Sequence, residues 1–295
     1  MEPNLRFGIW ERQSFVQRFL RWTELLDPTN LLISIERIEK SRQLLFTNED
    51  AARHNLNDQR IKEAWKRSLS TVHPDSSRLI PAFFRPAAFL PLTAPMVSFY
   101  AYTTAFTIIN GNSSYRRHGA EQVVLGTGAF SSSAFLGLFP YFIQTKCPLI
   151  NPLIKRALPI IFFAQVSAMN VFASRSLEPI RGIQVMDKEG RVIGLSRKAG
   201  EKAVRETSIS RAVLFGISAL IPEVFTYFYK RTLFYLENPW SLWTAKLSCT
   251  VLVMGLMVPV SFSMFPQVGR VQSRKLEEEI QSSTEETELF YNRGV

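Results

Sequence analysis

The sequence predicts a mostly α-helical, multi-pass membrane protein. Three observations carry that expectation: five long stretches almost without charge, basic residues at their borders, and many small residues within them. A bilayer core takes about 20 mostly apolar residues per helical span. The stretches 86–109, 122–145, 157–174, 212–229 and 247–269 approach that length, and the one charged residue among them is Glu223. Arg85, Arg117, Arg156, Arg175, Arg211, Lys246 and Arg270 stand at or near their borders. Gly126, Gly128, Ser131, Ser132, Ser133 and Gly137 are the kind of residues that let membrane helices approach closely. Five such runs bracketed by charge would be unusual for buried helices of a soluble protein.

Each stretch brings its own irregularity. Pro86, Pro91 and Pro95 crowd the first half of the first one, so its second half, up to Asn110, is expected to be the helical part. Pro140, Pro159, Pro222 and Pro259 predict kinks or breaks in the others, which membrane helices tolerate where neighbours satisfy the freed backbone groups. Five spans would put the two termini on opposite sides. Between the third and fourth spans, IQVMDKEGRVIG (183–194) alternates around the turn signal Asp187-Lys188-Glu189-Gly190 and predicts a β-hairpin. A charged helix over 196–211 then leads into span four.

The organisation expected is a helical head over 1–85, a membrane domain over 86–269 with the hairpin–helix loop 175–211, and an acidic tail over 270–295. In the head, Phe15, Phe19, Trp22 and Leu26 share one helix face, ended by Asp27-Pro28. A second helix follows Ser34, and a third carries Ile61, Trp65, Leu69 and Val72 on one side with Arg60, Lys62, Lys66 and Arg67 around the rest.

The composition hides this division. The chain has 295 residues, net charge +10 and 20% charged residues, against roughly 25% in soluble domains. Its mean hydropathy of +0.01 averages the charged head with the apolar remainder. The basic excess suits a surface of anionic lipid, and membrane lipids are the expected partner. Cys147 and Cys249 form no CxxC pair, and none of the three His has a second one at ligand spacing. No metal, cofactor, catalytic constellation or nucleic-acid module is expected. Residues 6–26 carry Arg6, Arg12, Arg18 and Arg21, as a mitochondrial presequence would, but Glu2, Glu11 and Glu24 are foreign to one, so no cleaved presequence is expected.

The tripeptide His73-Pro74-Asp75 occurs in J-domain loops, but the following Leu79–Pro86 stretch cannot form the solvated second helix of a J-domain, because two prolines interrupt it. The triplet is expected to end the third head helix and set its angle to the membrane. Along nearly its whole length the chain resembles the sideroflexins, multi-pass proteins of the mitochondrial inner membrane. The resemblance rests on an ordered series: WTELLDPTNLL (22–32), HPDSS (73–77) where the family has HPDTGEK, RPAAFLP (85–91), and MNVFASRSLEPIRGIQVMDKEGRVIGLSRKAG (169–200). SISR (208–211), MVPV (257–260), Met264-Phe265-Pro266-Gln267 and the closing YNRGV follow in turn.

The resemblance implies a mitochondrial inner-membrane protein that is not an enzyme and transports a small amino acid, with roles in respiratory complex I assembly and iron homeostasis. Serine is the family's best-known substrate. The altered HPDTGEK motif and the Asn-rich stretch reduced to Asn110, Gly111, Asn112 and Tyr115 count against serine here. The segment from Pro86 to Asn110 is also shorter than the family's by about one helical span. The alternative is a non-transporting membrane scaffold for complex I assembly, with assembly factors as partners. A carrier of zwitterions needs polar groups within its spans, and broken helices commonly supply them. The candidates are Asn110, Gln165, Asn170 and Glu223.

Overall fold

The structure is a computed structural model and describes residues 13–47, 58–89, 99–112, 119–146 and 152–294. The stretch 1–12, Pro91, Pro95 and Tyr115 lie outside the described residues.

Among the described residues the head has three short helices: α1 (Phe15–Leu25), α2 (Ile35–Thr47) and α3 (Gln59–Thr71). Ser14 and Gln17 close a capping box at the start of α1, each side chain bonded to the other's backbone N–H. Asp58 caps α3 by accepting from the Arg60 N–H. The predicted stripe of α3 packs Ile61, Ala64 and Trp65 against Leu45 of α2. The buried side of α1, Trp22 and Leu25, faces elsewhere and joins the aromatic core of the membrane helices.

Membrane entry is irregular. Ala82–Phe84 and Pro86–Ala88 are single 3₁₀ turns, and α4 covers Phe99–Ile109. Eleven residues rise about 16 Å, roughly half a bilayer core. Among the described residues the first stretch is therefore helical only in its second half. Four longer helices follow the same order as the uncharged runs: α5 (Gly119–Lys146), α6 (Pro152–Ser174), α8 (Arg197–Tyr229) and α10 (Ser241–Met264). The last stretch of α6, from Arg156, together with α8 and α10, is long and apolar enough to cross a membrane, while α5 holds a shorter apolar run, Val124–Phe139. Among the described residues, then, three helices meet the length criterion, against the five spans expected. The helices leave Phe135, Phe172, Phe228 and Leu252 exposed, as lipid-facing side chains would be. α8 packs along both α6 and α10, α5 lies against α6, and α4 touches α5 and α6.

The predicted loop helix and fourth span are one helix, α8. Its 33 residues rise about 50 Å, well beyond a bilayer core. Its first turns bury Ala199 and Ala203 against a small antiparallel sheet. The predicted hairpin forms the first half of that sheet, with β1 (Ile183–Met186) and β2 (Val192–Ser196) turning at Gly190, which has φ +80°. The other half comes from the end of the chain. β3 (Val268–Gln272) begins inside the last uncharged stretch, soon after α10 stops at Met264, and β4 (Glu288–Asn292) inserts between β3 and β1. Between them Leu276 and Ile280 pack beneath the sheet with Ile183, Val185, Leu289 and Tyr291. The short helix α7 (Leu177–Arg181) lies against α8 so closely that a Cβ at Gly200 would meet the Glu178 carbonyl oxygen at 2.4 Å. Two short helices, α9 (Leu233–Glu237) and α11 (Glu278–Ser282), complete the order.

Candidate functional site

The motifs scattered along the sequence meet in one place, where the half-helix α4 ends against α6, α7 and α8. His73 closes the turn after α3. Its Nδ1 accepts from the backbone N–H groups of Asp75 and Ser76, at 3.3 and 3.4 Å. Nε2 is then the protonated nitrogen and donates to the Gly111 carbonyl at 2.8 Å. Backbone bonds from His73 to Arg78 and from Ile80 to Thr71 tie off the loop. The triplet therefore ends α3 and anchors that loop to the end of α4. Pro74 and Asp75 are half-buried in the turn.

Asn110 ends α4. Its Nδ2 donates to the carbonyls of Phe84 and Phe106 at 2.9 and 3.0 Å. Two residues on, Asn112 reaches across to the last strand and donates through Nδ2 to the Asn292 carbonyl at 2.9 Å. Its backbone N–H points to Oε1 of Glu178. Glu178 is gripped by Arg175 through two bonds of 2.8 and 2.6 Å, and both side chains are fully buried. Arg175 also donates to Thr207 on α8 at 3.0 Å and to the Arg293 carbonyl at 2.6 Å. The Arg293 guanidinium turns the other way, capping α10 through the carbonyls of Phe262, Phe265 and Pro266. Burial pushes the Arg293 guanidinium down to about 10, since its charged form loses water there. From the head, Arg18 adds a bond to the Ser263 carbonyl at 2.8 Å. Four remote pieces of sequence (the His-Pro-Asp loop, Asn110–Asn112, Arg175–Glu178 and Asn292–Gly294) thus form one buried polar junction.

Beside this junction the bundle encloses a cavity. Its walls are Thr103 and Thr107 of α4, Ser167, Asn170 and Val171 of α6, and Arg211 and Phe215 of α8. The space between these atoms is about 240 Å³ with the open mouth included, but the room left inside is about 10 Å³, roughly one water. Asn170 ties the wall together. Its Nδ2 donates to the Thr104 hydroxyl at 2.6 Å and to the Ser133 hydroxyl at 3.0 Å, joining α6 to α4 and α5.

Arg211 is the most unusual wall residue. It is 3% exposed, and neither Nη1 nor Nη2 has a hydrogen-bond partner among the described residues. Its guanidinium lies 4.7 Å from the Phe89 ring centre, 4.8 Å from Phe262 and 5.5 Å from Phe106. Three aromatic faces at about 0.5–2 kcal/mol each offset much of the several kcal/mol that desolvating an ion costs, but they accept no hydrogen bond from its terminal N–H groups. Nearly all buried polar groups in native proteins are paired, so an unpaired guanidinium calls for a reason. The junction next to it brings in two more guanidiniums, Arg175 and Arg293, of which Arg175 is offset by Glu178.

Of the sequence candidates, Asn170 lines this cavity and Asn110 closes the end of α4 next to it. Gln165 lies on the exposed side of α6, away from Ser167 and Asn170. Glu223 sits 12 residues beyond Arg211 on α8, about 18 Å along the helix. There it is half-buried and ion-paired with Lys246 of α10. A carboxylate or ammonium left alone at bilayer depth costs about 2.5–3.5 kcal/mol. Accordingly, Glu223→Gln is expected to lower the melting temperature of the detergent-solubilised protein more than the double variant Glu223→Gln/Lys246→Gln does. Equal melting of the two would show that the pair is solvated and carries no coupling.

Arg211 and Arg175 were hidden in the sequence by their position. Each ends an uncharged run, where a basic residue ordinarily marks the membrane border. The residues before Ser208 are charged and those after Arg211 are apolar, so no local pattern in the sequence marks Arg211 as buried. Among the described residues no group of three or more His, Cys, Asp and Glu is placed to hold a metal.

Comparison with known proteins places this architecture. The family model described as Sideroflexins matches residues 4–112 and 100–295, two pieces that overlap over 100–112. Sideroflexin-4 of Bos taurus is 66% identical, with all of both chains covered. Sideroflexin-4 of Homo sapiens is 62% identical, covering all of this chain and 93% of the human one. Sideroflexin-5 of Homo sapiens is 25% identical over 97% of this chain and 91% of its own length. The alignments to the two Sideroflexin-4 chains run over 313 positions against 295 residues here, so at least 18 positions of those relatives have no counterpart. No solved structure matches. With a family model spanning nearly every residue and full-length relatives above 60% identity, the chain belongs to the sideroflexin family.

Proposed function

We propose that this membrane protein is a carrier that moves a small amino acid across the mitochondrial inner membrane. The observation that supports this most is the cavity itself, a set of hydroxyl, amide and guanidinium groups enclosed by three membrane helices. Such groups are costly in an apolar bundle, and in membrane proteins they mark substrate paths. α4 fits the same reading: it stops at Ile109 against irregular backbone near the cavity, as helices do in carriers built on broken helices. The small free volume corresponds to a closed form, which would have to widen to admit a substrate.

The test is uptake of labelled alanine, glycine and serine into liposomes holding the purified protein. Uptake above that of empty liposomes is expected, with Asn170→Ala reducing it by about tenfold, since one buried hydrogen-bonding hub is worth about 1.4 kcal/mol. No uptake of any of the three would overturn the carrier reading.

A second reading, a scaffold for respiratory complex I assembly without transport, is supported by the positions of the relatives that have no counterpart in this chain. It predicts that cells lacking the protein lose complex I and regain it with Asn170→Ala.

A further inference from the structure

The unpaired arginine and the cavity beside it point to a specific ligand chemistry. We propose that Arg211 is the anchor of a carboxylate-binding site, which takes the carboxylate of a small, otherwise neutral molecule into the cavity between α4, α6 and α8. The inference deepens the carrier reading and rests on it for biological meaning, but the binding itself can be measured without transport.

The chemistry of the walls selects the ligand. Both terminal nitrogens of Arg211 are free of hydrogen bonds, and a planar guanidinium presents paired donors that match the two oxygens of a carboxylate. The cage of Phe89, Phe106 and Phe262 fixes the guanidinium in place without using any of those donors. Tyr102 lies close enough to feel the charge of Arg211, and its hydroxyl, too, is buried with no partner among the described residues. The remaining walls, Thr103, Thr107, Ser167 and Asn170, are neutral hydrogen-bonding groups. Among the described residues no wall residue is acidic to neutralise Arg211, and the second end of the ligand meets hydroxyl and amide oxygen instead of a carboxylate. The nearby acid Glu178 is already committed to Arg175.

The experiment takes alanine apart. The purified full-length protein in detergent is melted with increasing alanine, sodium propionate, ethylammonium chloride or sodium chloride at matched ionic strength. Propionate keeps the carboxylate and lacks the amine, while ethylammonium is the reverse. Alanine and propionate are expected to raise the melting temperature in a saturable way, and the two chloride salts are not. Arg211→Gln is expected to weaken propionate binding at least about tenfold. Asn170→Asp gives a second variant that changes only one wall atom. Its carboxylate puts a negative charge into a cavity whose described walls have none, so by pairing with Arg211 or by repelling the ligand it should abolish the propionate response. This arm remains decisive if Arg211→Gln does not fold.

The proposal is overturned if ethylammonium stabilises as well as alanine, if chloride matches propionate, or if no carboxylate stabilises the wild-type chain. It is equally overturned if either variant binds propionate as the wild type does. Propionate binding without liposome uptake would refute the carrier and leave the site standing. Uptake with undiminished binding by Arg211→Gln would refute the site and leave the carrier standing.

Discussion

A chain ending at Thr287 is expected to lose the sheet module altogether. The residues removed include β4, which is a central strand: it bonds β1 on one side and β3 on the other. With it go Leu289 and Tyr291, both fully buried, and the Tyr291 ring fills the space that a Cβ on Gly269 would occupy. Truncating one large buried side chain typically costs 2–5 kcal/mol, and here two are lost along with both strand ladders and the Arg293 cap on α10. The total exceeds what a module this small can hold in reserve, since whole domains have only about 5–15 kcal/mol. Limited proteolysis of the detergent-solubilised protein should show it, with cleavage appearing between residues 183 and 206 in the shortened chain only. A protease pattern equal to that of the full chain would show that the hairpin and the first turns of α8 hold without β4. The single variant Tyr291→Ala should fall between the two.

That sheet also shows what the sequence could and could not tell. The β1–β2 hairpin was legible because a local turn, Asp187 to Gly190, stands between two alternating runs. β3 and β4 were not. Val268-Gly269 continues an apolar stretch that reads as membrane, and Glu288–Asn292 is five residues behind an acidic run. β4 pairs across about a hundred residues, Val185 with Tyr291 and Met186 with Phe290, and β3 is a strand only because it pairs with β4, so no local window contains the cause. The membrane helices were legible for the opposite reason, since the absence of charge over 18 or more residues is a local property. α8 was divided in two at Arg211 because its polar first half looks solvated, whereas that half is polar on one side and buried against the sheet on the other.

The candidate site was legible as a set of motifs and not as a geometry. His73, Asn110, Asn170 and the terminal Asn292-Arg293-Gly294 each stood out by type. Only the fold shows that His73 holds Gly111, that Asn112 holds Asn292, and that Arg175 stands between them. The two arginines were read as border charges because the membrane boundary and the buried junction coincide there. A basic residue at such a place satisfies two descriptions, and sequence favours the commoner.

Arg175→Leu is expected to be the most damaging single substitution in the junction. It leaves Glu178 as a buried carboxylate with no cation, and it frees the Thr207 hydroxyl and the Arg293 carbonyl of their donor. Breaking a buried pair by removing one partner costs about 3–5 kcal/mol, most of it the price of the ion left behind. The reverse follows for the double variant Arg175→Leu/Glu178→Leu, which removes both charges and should recover at least half of the loss. Recovery will be incomplete, because the Asn112 backbone N–H then lacks its acceptor. Arg175→Lys should rescue poorly: a single ammonium cannot reach both Glu178 oxygens, Thr207 and the Arg293 carbonyl together, as the forked guanidinium does. Melting of the four proteins in one detergent gives the coupling directly. If the single and double losses simply add, Arg175 and Glu178 do not act as a pair, and the junction is held by the backbone bonds of His73, Asn112 and Arg293 instead.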